Sequence, residues 1–141
     1  MKRSRLIQGF TLIELMVVIA LIAALAAVAI PMVGSTVRHA AEGTSKGNLA
    51  AIRGMISVYY TNNEGLFPTD NLASLVPSFA TQIPNAKTPG YHPDQNLVVT
   101  ETVPTDTGAW SYNNVPGDAG FGTIHIGCTH PDTQGKAWFT Y

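Results

Sequence analysis

Glu14 stands at the threshold of an unbroken apolar run, Leu15 to Val33, and the next charge along the chain is Arg38. A carboxylate in that position is costly in hydrocarbon and calls for a positive partner or a function. A second group with chemical potential is His125, Cys128 and His130, whose residue types are those of a zinc site. On an extended strand side chains alternate, so His125 and Cys128, three apart, point to opposite faces unless a turn intervenes. The expectation is therefore a packed or free thiol with exposed histidines, and no metal. Cys128 is the single cysteine, which excludes an intrachain disulfide and a C-x-x-C-H haem attachment. No carboxylate pair, Ser/His/Asp set or phosphate-cradling glycine loop stands out, so no enzyme is expected.

The elements that carry these residues follow from the distribution of apolar and charged side chains. With 141 residues the chain fits one core. The run Leu15 to Val33 is long enough to cross a bilayer as a helix. Lys2, Arg3 and Arg5 precede it, and the positive-inside bias puts the N-terminus in the cytoplasm and everything beyond Arg38 outside. Pro31 removes a backbone donor within the run and is expected to bend the helix. Beyond Gly9 only Arg38, Lys46, Arg53, Lys87 and Lys136 stand against nine acidic residues, which argues against a nucleic-acid partner.

Past the membrane run, Leu49, Ile52, Ile56 and Tyr59 recur at helical spacing, with Met55 beside them. One helix from about Phe10 to Tyr60 is expected, ended by the turn-rich Thr61-Asn62-Asn63-Glu64-Gly65. Asp70 can cap a short helix through Leu75, which Pro77 stops. The prolines and glycine between Ile83 and Pro93 predict an ordered loop. Leu97 to Val103, Ala109 to Val115, Phe121 to Cys128 and Lys136 to Tyr141 read as strands of one small antiparallel sheet. That sheet must bury a face, and the stripe between Leu49 and Tyr59 is the long apolar surface on offer. The fold class is α+β: a long N-terminal helix, half membrane-spanning and half amphipathic, packed on a small sheet.

Lys2-Arg3-Ser4-Arg5 followed by Gly9-Phe10-Thr11-Leu12-Ile13-Glu14-Leu15 resembles the prepilin signature of type IV pilins and type II secretion pseudopilins. The resemblance implies cleavage between Gly9 and Phe10 by a membrane prepilin peptidase on the cytoplasmic side, N-methylation of Phe10 by the same enzyme, and a Glu14 that aligns subunits in assembly. Cleavage would leave an amine on Phe10 that is positive at neutral pH and four residues from Glu14. The division implied is a cytoplasmic leader at 1–9, a transmembrane half-helix at 10–37 and an exported pilin-like headgroup at 38–141. Partners would be other copies of the chain, related pilin-like subunits, the peptidase and an inner-membrane assembly platform. The setting would be the bacterial inner membrane, single pass, with the headgroup periplasmic, and then a filament.

Tyr59, Tyr60 and Glu64-Gly65-Leu66-Phe67-Pro68-Thr69, together with Leu75-Val76-Pro77 and Ile83-Pro84, resemble the helix exit of small pseudopilins of the major type. The favoured reading is thus a type II secretion pseudopilus subunit, with a type IV pilus pilin as the alternative. Many type IV pilins close a C-terminal loop with a disulfide, which this chain cannot do. Asp118 and Asp132 lie in loops of the kind in which major pseudopilins hold calcium, but neither matches that pattern, and calcium is left unassigned. No cofactor is expected.

The main rival is an ordinary secretory signal with a cleavage site at Ala24-Leu25-Ala26 or Ala27-Val28-Ala29, which would release a soluble binding domain. The charge of Glu14 at the start of the apolar core opposes it. The two readings predict different termini. Intact mass and N-terminal sequencing of membrane-extracted protein should give a chain beginning with a methylated Phe10; a terminus near Ala27 or Met32 would instead establish the secretory reading.

Overall fold

The computed structural model describes residues 9–141, so the basic residues Lys2, Arg3 and Arg5 and the leader up to residue 8 lie outside it. The chain falls into two compact units, residues up to Val37 and Arg38–Tyr141. One helix, α1 (Leu12–Asn62), contributes to both.

In the first unit apolar side chains from Leu12 to Val33 lie around the whole circumference of the helix, with Glu14 the one charge among them. Leu12, Ile13, Leu15, Val18, Ile22, Leu25 and Val33 are all exposed. The helical run passes through Pro31, which cannot donate to the carbonyl four residues back. One turn on, the hydroxyls of Ser35 and Thr36 both donate to the Met32 carbonyl, at 2.9 and 3.0 Å.

In the second unit, Glu42, Ser45, Leu49, Ile52 and Ile56 form one buried stripe at alternating spacings of three and four residues. Leu49, Ile52 and Ile56 pack with Leu72, Leu75, Trp110, Tyr112, Ile124, Ile126 and Trp138 in a single core. Burying each of the three helix side chains contributes about 1.5–3 kcal/mol. After α1, the Asp70 carboxylate accepts the N–H groups of Leu72 and Ser74 and caps a 3-10 turn at Ala73–Leu75.

Five short strands follow. β1 (Ala86–Thr88) and β2 (His92–Gln95) form an antiparallel hairpin with an irregular register. β3 (Val98–Thr100), β4 (Trp110–Tyr112) and β5 (Ile124–Ile126) form a second sheet in that order; β3 runs parallel to β4 and β4 antiparallel to β5. The polar groups of the core aromatics Trp110 and Tyr112 and of Ser45 are engaged. Trp110 Nε1 donates to the Pro84 carbonyl and the Tyr112 hydroxyl to the Pro68 carbonyl, each at 2.7 Å. Ser45 is fully buried and accepts the Lys87 N–H at 2.6 Å, tying α1 to β1.

The α+β class, with a long helix on small sheets, is what the sequence pattern predicts, and three details differ. The expected loop between Ile83 and Pro93 contains β1 and leads into β2; an edge hairpin tolerates Pro93 because an edge strand leaves some N–H positions unpaired. The single antiparallel sheet is two sheets, one of them mixed. The expected strand Lys136 to Tyr141 is instead a bridge at Ala137 followed by a 3-10 turn at Trp138–Thr140. Coiling there sinks Trp138 into the core and brings Tyr141 round to Lys46, which an extended segment would not do.

That last turn is lashed to the helix by charge. Lys46 Nζ lies 2.7 Å from Asp132 Oδ2 and 2.9 Å from the Tyr141 hydroxyl, which itself donates to Asp132. Arg53 Nη2 donates to the carbonyls of Ile124 and Tyr141. Burial alone would raise the Asp132 carboxyl, but Lys46, Tyr141 and the N–H groups of Lys136 and Gln134 hold it far below the ordinary carboxylate range. Its folded pKa lies below the unfolded value of about 3.9, so its stabilisation is complete above that value and is lost as pH falls toward the folded pKa. A chain starting at Gly34 should be soluble and folded, and Asp132→Asn should destabilise it at pH 7 by about 2 kcal/mol, less than for a fully buried pair because Lys46 is partly exposed. Denaturant titrations should show the gap between the two proteins narrowing below pH 4. An equal gap at pH 7 and pH 3 would contradict this role for Asp132.

Candidate functional site

Gly9 and Phe10 precede the first helical turn, both exposed. Thr11 occupies the N-cap position of α1 and Glu14 the third helical position. Glu14 Oε2 accepts the Thr11 N–H at 2.8 Å and the Thr11 hydroxyl at 2.7 Å, while the Glu14 N–H donates back to Thr11 Oγ1 at 3.2 Å. This is a reciprocal capping box, which satisfies N–H groups that the first helical turn leaves without partners. Thr-x-x-Glu ahead of an apolar run is a readable signature of it, which the charge of Glu14 alone does not reveal. Among the described residues no basic side chain pairs with Glu14. Leu15 to Val18 then continue the exposed apolar surface.

The histidines and the cysteine fall into two places. His125 on β5 has Nδ1 3.0 Å from the Tyr141 carbonyl. Cys128 and His130 follow β5, two residues apart, with Sγ and Nδ1 3.6 Å apart. Two residues that sequence reasoning missed join them. His92 opens β2, and Asp106 sits in the loop between β3 and β4; Asp106 Oδ1 lies 3.1 Å from His92 Nε2 and 3.3 Å from His130 Nδ1. The ligand-type atoms of His92, Asp106, Cys128 and His130 all lie within 4.8 Å of one another. No local spacing announces His92 and Asp106, because the hairpin and the loop deliver them from separate segments. Burial pushes the Cys128 thiol up, aided by Asp106, while the His130 N–H and the Thr88 hydroxyl oppose that shift. Asp106 is held down by the Thr129 N–H and by the two histidines.

The two calcium-type loops are engaged internally. Asp118 accepts from Asn113 and from the Gly120 N–H, and Asp132 serves the Lys46 and Tyr141 contacts already described.

Residues 4–30 match the prokaryotic N-terminal methylation motif, the motif of type IV pilins and pseudopilins. The chain is 40% identical over 67 residues to the fimbrial protein EcpC of Eikenella corrodens. That match takes in 48% of this chain and 43% of EcpC, so the chain spans less than half the length of that relative. No solved structure matches it.

Proposed function

From the premise that this chain carries the N-terminal methylation motif on a pilin-like fold, we propose that it is a structural subunit that assembles through the first half of α1 into a membrane-rooted filament. The observation that carries the reading is the exposed apolar circumference of α1 from Leu12 to Val33, broken by a single acidic residue, Glu14. A surface of that kind is covered by lipid in a lone subunit and by neighbouring helices in a bundle. Prepilin peptidase cuts between Gly9 and Phe10 and methylates the new terminus, on the cytoplasmic face of the inner membrane. The positive Phe10 amine of an incoming subunit then meets the Glu14 of one already in place. An unpaired charge in an apolar bundle is costly, and the pairing offsets part of that cost.

Within this class two systems have specific support. The exit from α1 through Tyr60 and Glu64 to Thr69 favours a type II secretion pseudopilus. The fimbrial relative favours a type IV pilus. Deleting the gene separates them: loss of an exported enzyme with surface fibres intact marks the pseudopilus, and loss of fibres marks the pilus.

The capping box makes the assembly role of Glu14 testable without ambiguity. Glu14→Gln keeps a side chain that can cap and removes the charge, whereas Thr11→Val removes the capping hydroxyl and keeps the charge. Loss of a cap costs about 1 kcal/mol, too little to dislodge a membrane helix. Sheared-filament yield should collapse in Glu14→Gln and Glu14→Ala, recover in part in Glu14→Asp, and remain near normal in Thr11→Val, with membrane-bound, processed subunit present in every case by immunoblot. Normal filaments from Glu14→Gln, or their loss in Thr11→Val, would overturn the charge-pairing account.

A further inference from the structure

We propose that His92, Asp106, Cys128 and His130 form a binding site for one zinc ion in the headgroup. The site is independent of the filament in which the chain serves. With metal–ligand distances of about 2.0–2.3 Å, the edge of a tetrahedron is about 3.3–3.8 Å. Three of the present separations, 3.1, 3.3 and 3.6 Å, are already close to that edge, and the remaining ones stay within 4.8 Å. Two imidazoles, a thiolate and a carboxylate suit a borderline-soft ion, whereas calcium and magnesium require several oxygens. Two neutral histidines with Asp106 and a Cys128 thiolate also balance the two charges of the ion, the thiol proton leaving to solvent.

The surroundings hold these groups in place. Gly108, at φ +72°, passes so close to His92 that a Cβ there would lie 2.4 Å from the histidine Cβ, which locks β2 against the loop carrying Asp106. Tyr91 stacks on His130 with ring centres 4.2 Å apart. The Thr129 N–H fixes Asp106 at 2.9 Å, and the N–H groups of Phe139 and Trp138 bind the carbonyls of Cys128 and His130. Cys128 forms the buried floor, and His130 and Asp106 form an open rim through which an ion can enter.

An independent observation points the same way. Thr88 Oγ1 is fully buried and, among the described residues, is the one buried side-chain oxygen or nitrogen without a hydrogen-bond partner. Thr88 is the cross-strand partner of His92 in the β1–β2 hairpin, so its hydroxyl lies beside the site, where a metal-bound thiolate would offer it an acceptor. Hydrogen bonds of this outer kind orient and tune metal ligands. The ion would clasp the β1–β2 hairpin, the β3–β4 loop and the segment after β5, three pieces joined by little regular structure, and stabilise the headgroup by mass action.

The test uses the full-length chain in detergent micelles, without a histidine tag and stripped by a chelator, titrated with cobalt(II) as a spectroscopic probe and with zinc(II) by calorimetry and thermal melting. One equivalent of cobalt should give a thiolate-to-cobalt charge-transfer band and the intense visible bands of tetrahedral geometry. One equivalent of zinc should raise the melting temperature. Cys128→Ser should abolish the charge-transfer band. His92→Asn and His130→Asn, at positions that tolerate exchange because they are partly exposed, should weaken zinc by more than about 100-fold, and Thr88→Val by about 10-fold. His125→Asn should bind as the parent does. Circular dichroism of the metal-free variants establishes that each is folded. Absence of the band at one equivalent, its survival in Cys128→Ser, or parent-like zinc affinity in folded His92→Asn and His130→Asn would overturn the site.

Discussion

Apolar surface that water touches must be covered, and α1 answers that constraint in two different ways along its length. From Leu12 to Val33 its side chains other than Glu14 are apolar, and the large ones are exposed. From Arg38 onward only one stripe is apolar, and the sheets cover it. A helix satisfies its own backbone, which is why the first half can enter lipid, and it is the side chains alone that decide what each half packs against. The α+β headgroup exists to complete the second half. The first half is left to a medium or to other helices.

The charged groups divide along the same line. In the headgroup three helix charges have partners in the body: Lys46 meets Asp132 and Tyr141, Arg53 meets two carbonyls, and Glu42 accepts the N–H and hydroxyl of Thr133. These contacts fasten the last ten residues of the chain to α1. Among the described residues Glu14 is answered only by Thr11, a neutral partner that caps the helix but leaves the charge unneutralised beside a long apolar surface. A neutral cap satisfies hydrogen bonds without neutralising charge, and the difference is what a neighbouring amine would supply.

How much of this was legible in the sequence depended on the range of the interaction. The apolar run, the amphipathic stripe Leu49, Ile52 and Ile56, and the Asp70 cap are all encoded within a few turns of chain, and each was readable. The Thr11–Glu14 capping box was equally local and was overlooked because Glu14 had been weighed only as a charge. The parallel pairing of β3 with β4 was not readable: three-residue strands carry too little pattern to name a partner or a direction. The turn at Trp138 also escaped, since β-branched and aromatic content describes a half-buried surface and not the path of the backbone. The cluster around Cys128 was partly legible. His125 turns to the Tyr141 carbonyl and Cys128 to His130, and strand alternation had no means of foreseeing that a hairpin and a loop would carry His92 and Asp106 to the latter spot.

The central claim is that Glu14 and the apolar half of α1 are completed by other copies of the chain, and an electron cryomicroscopy reconstruction of the filament tests it most directly. The account predicts a bundle of α1 helices with residues from Leu12 to Val37 buried against one another, and the Phe10 amine of each subunit within hydrogen-bonding reach of the Glu14 carboxylate of a neighbour. A filament in which Glu14 contacts only its own Thr11, or in which that half of α1 faces water, would contradict it.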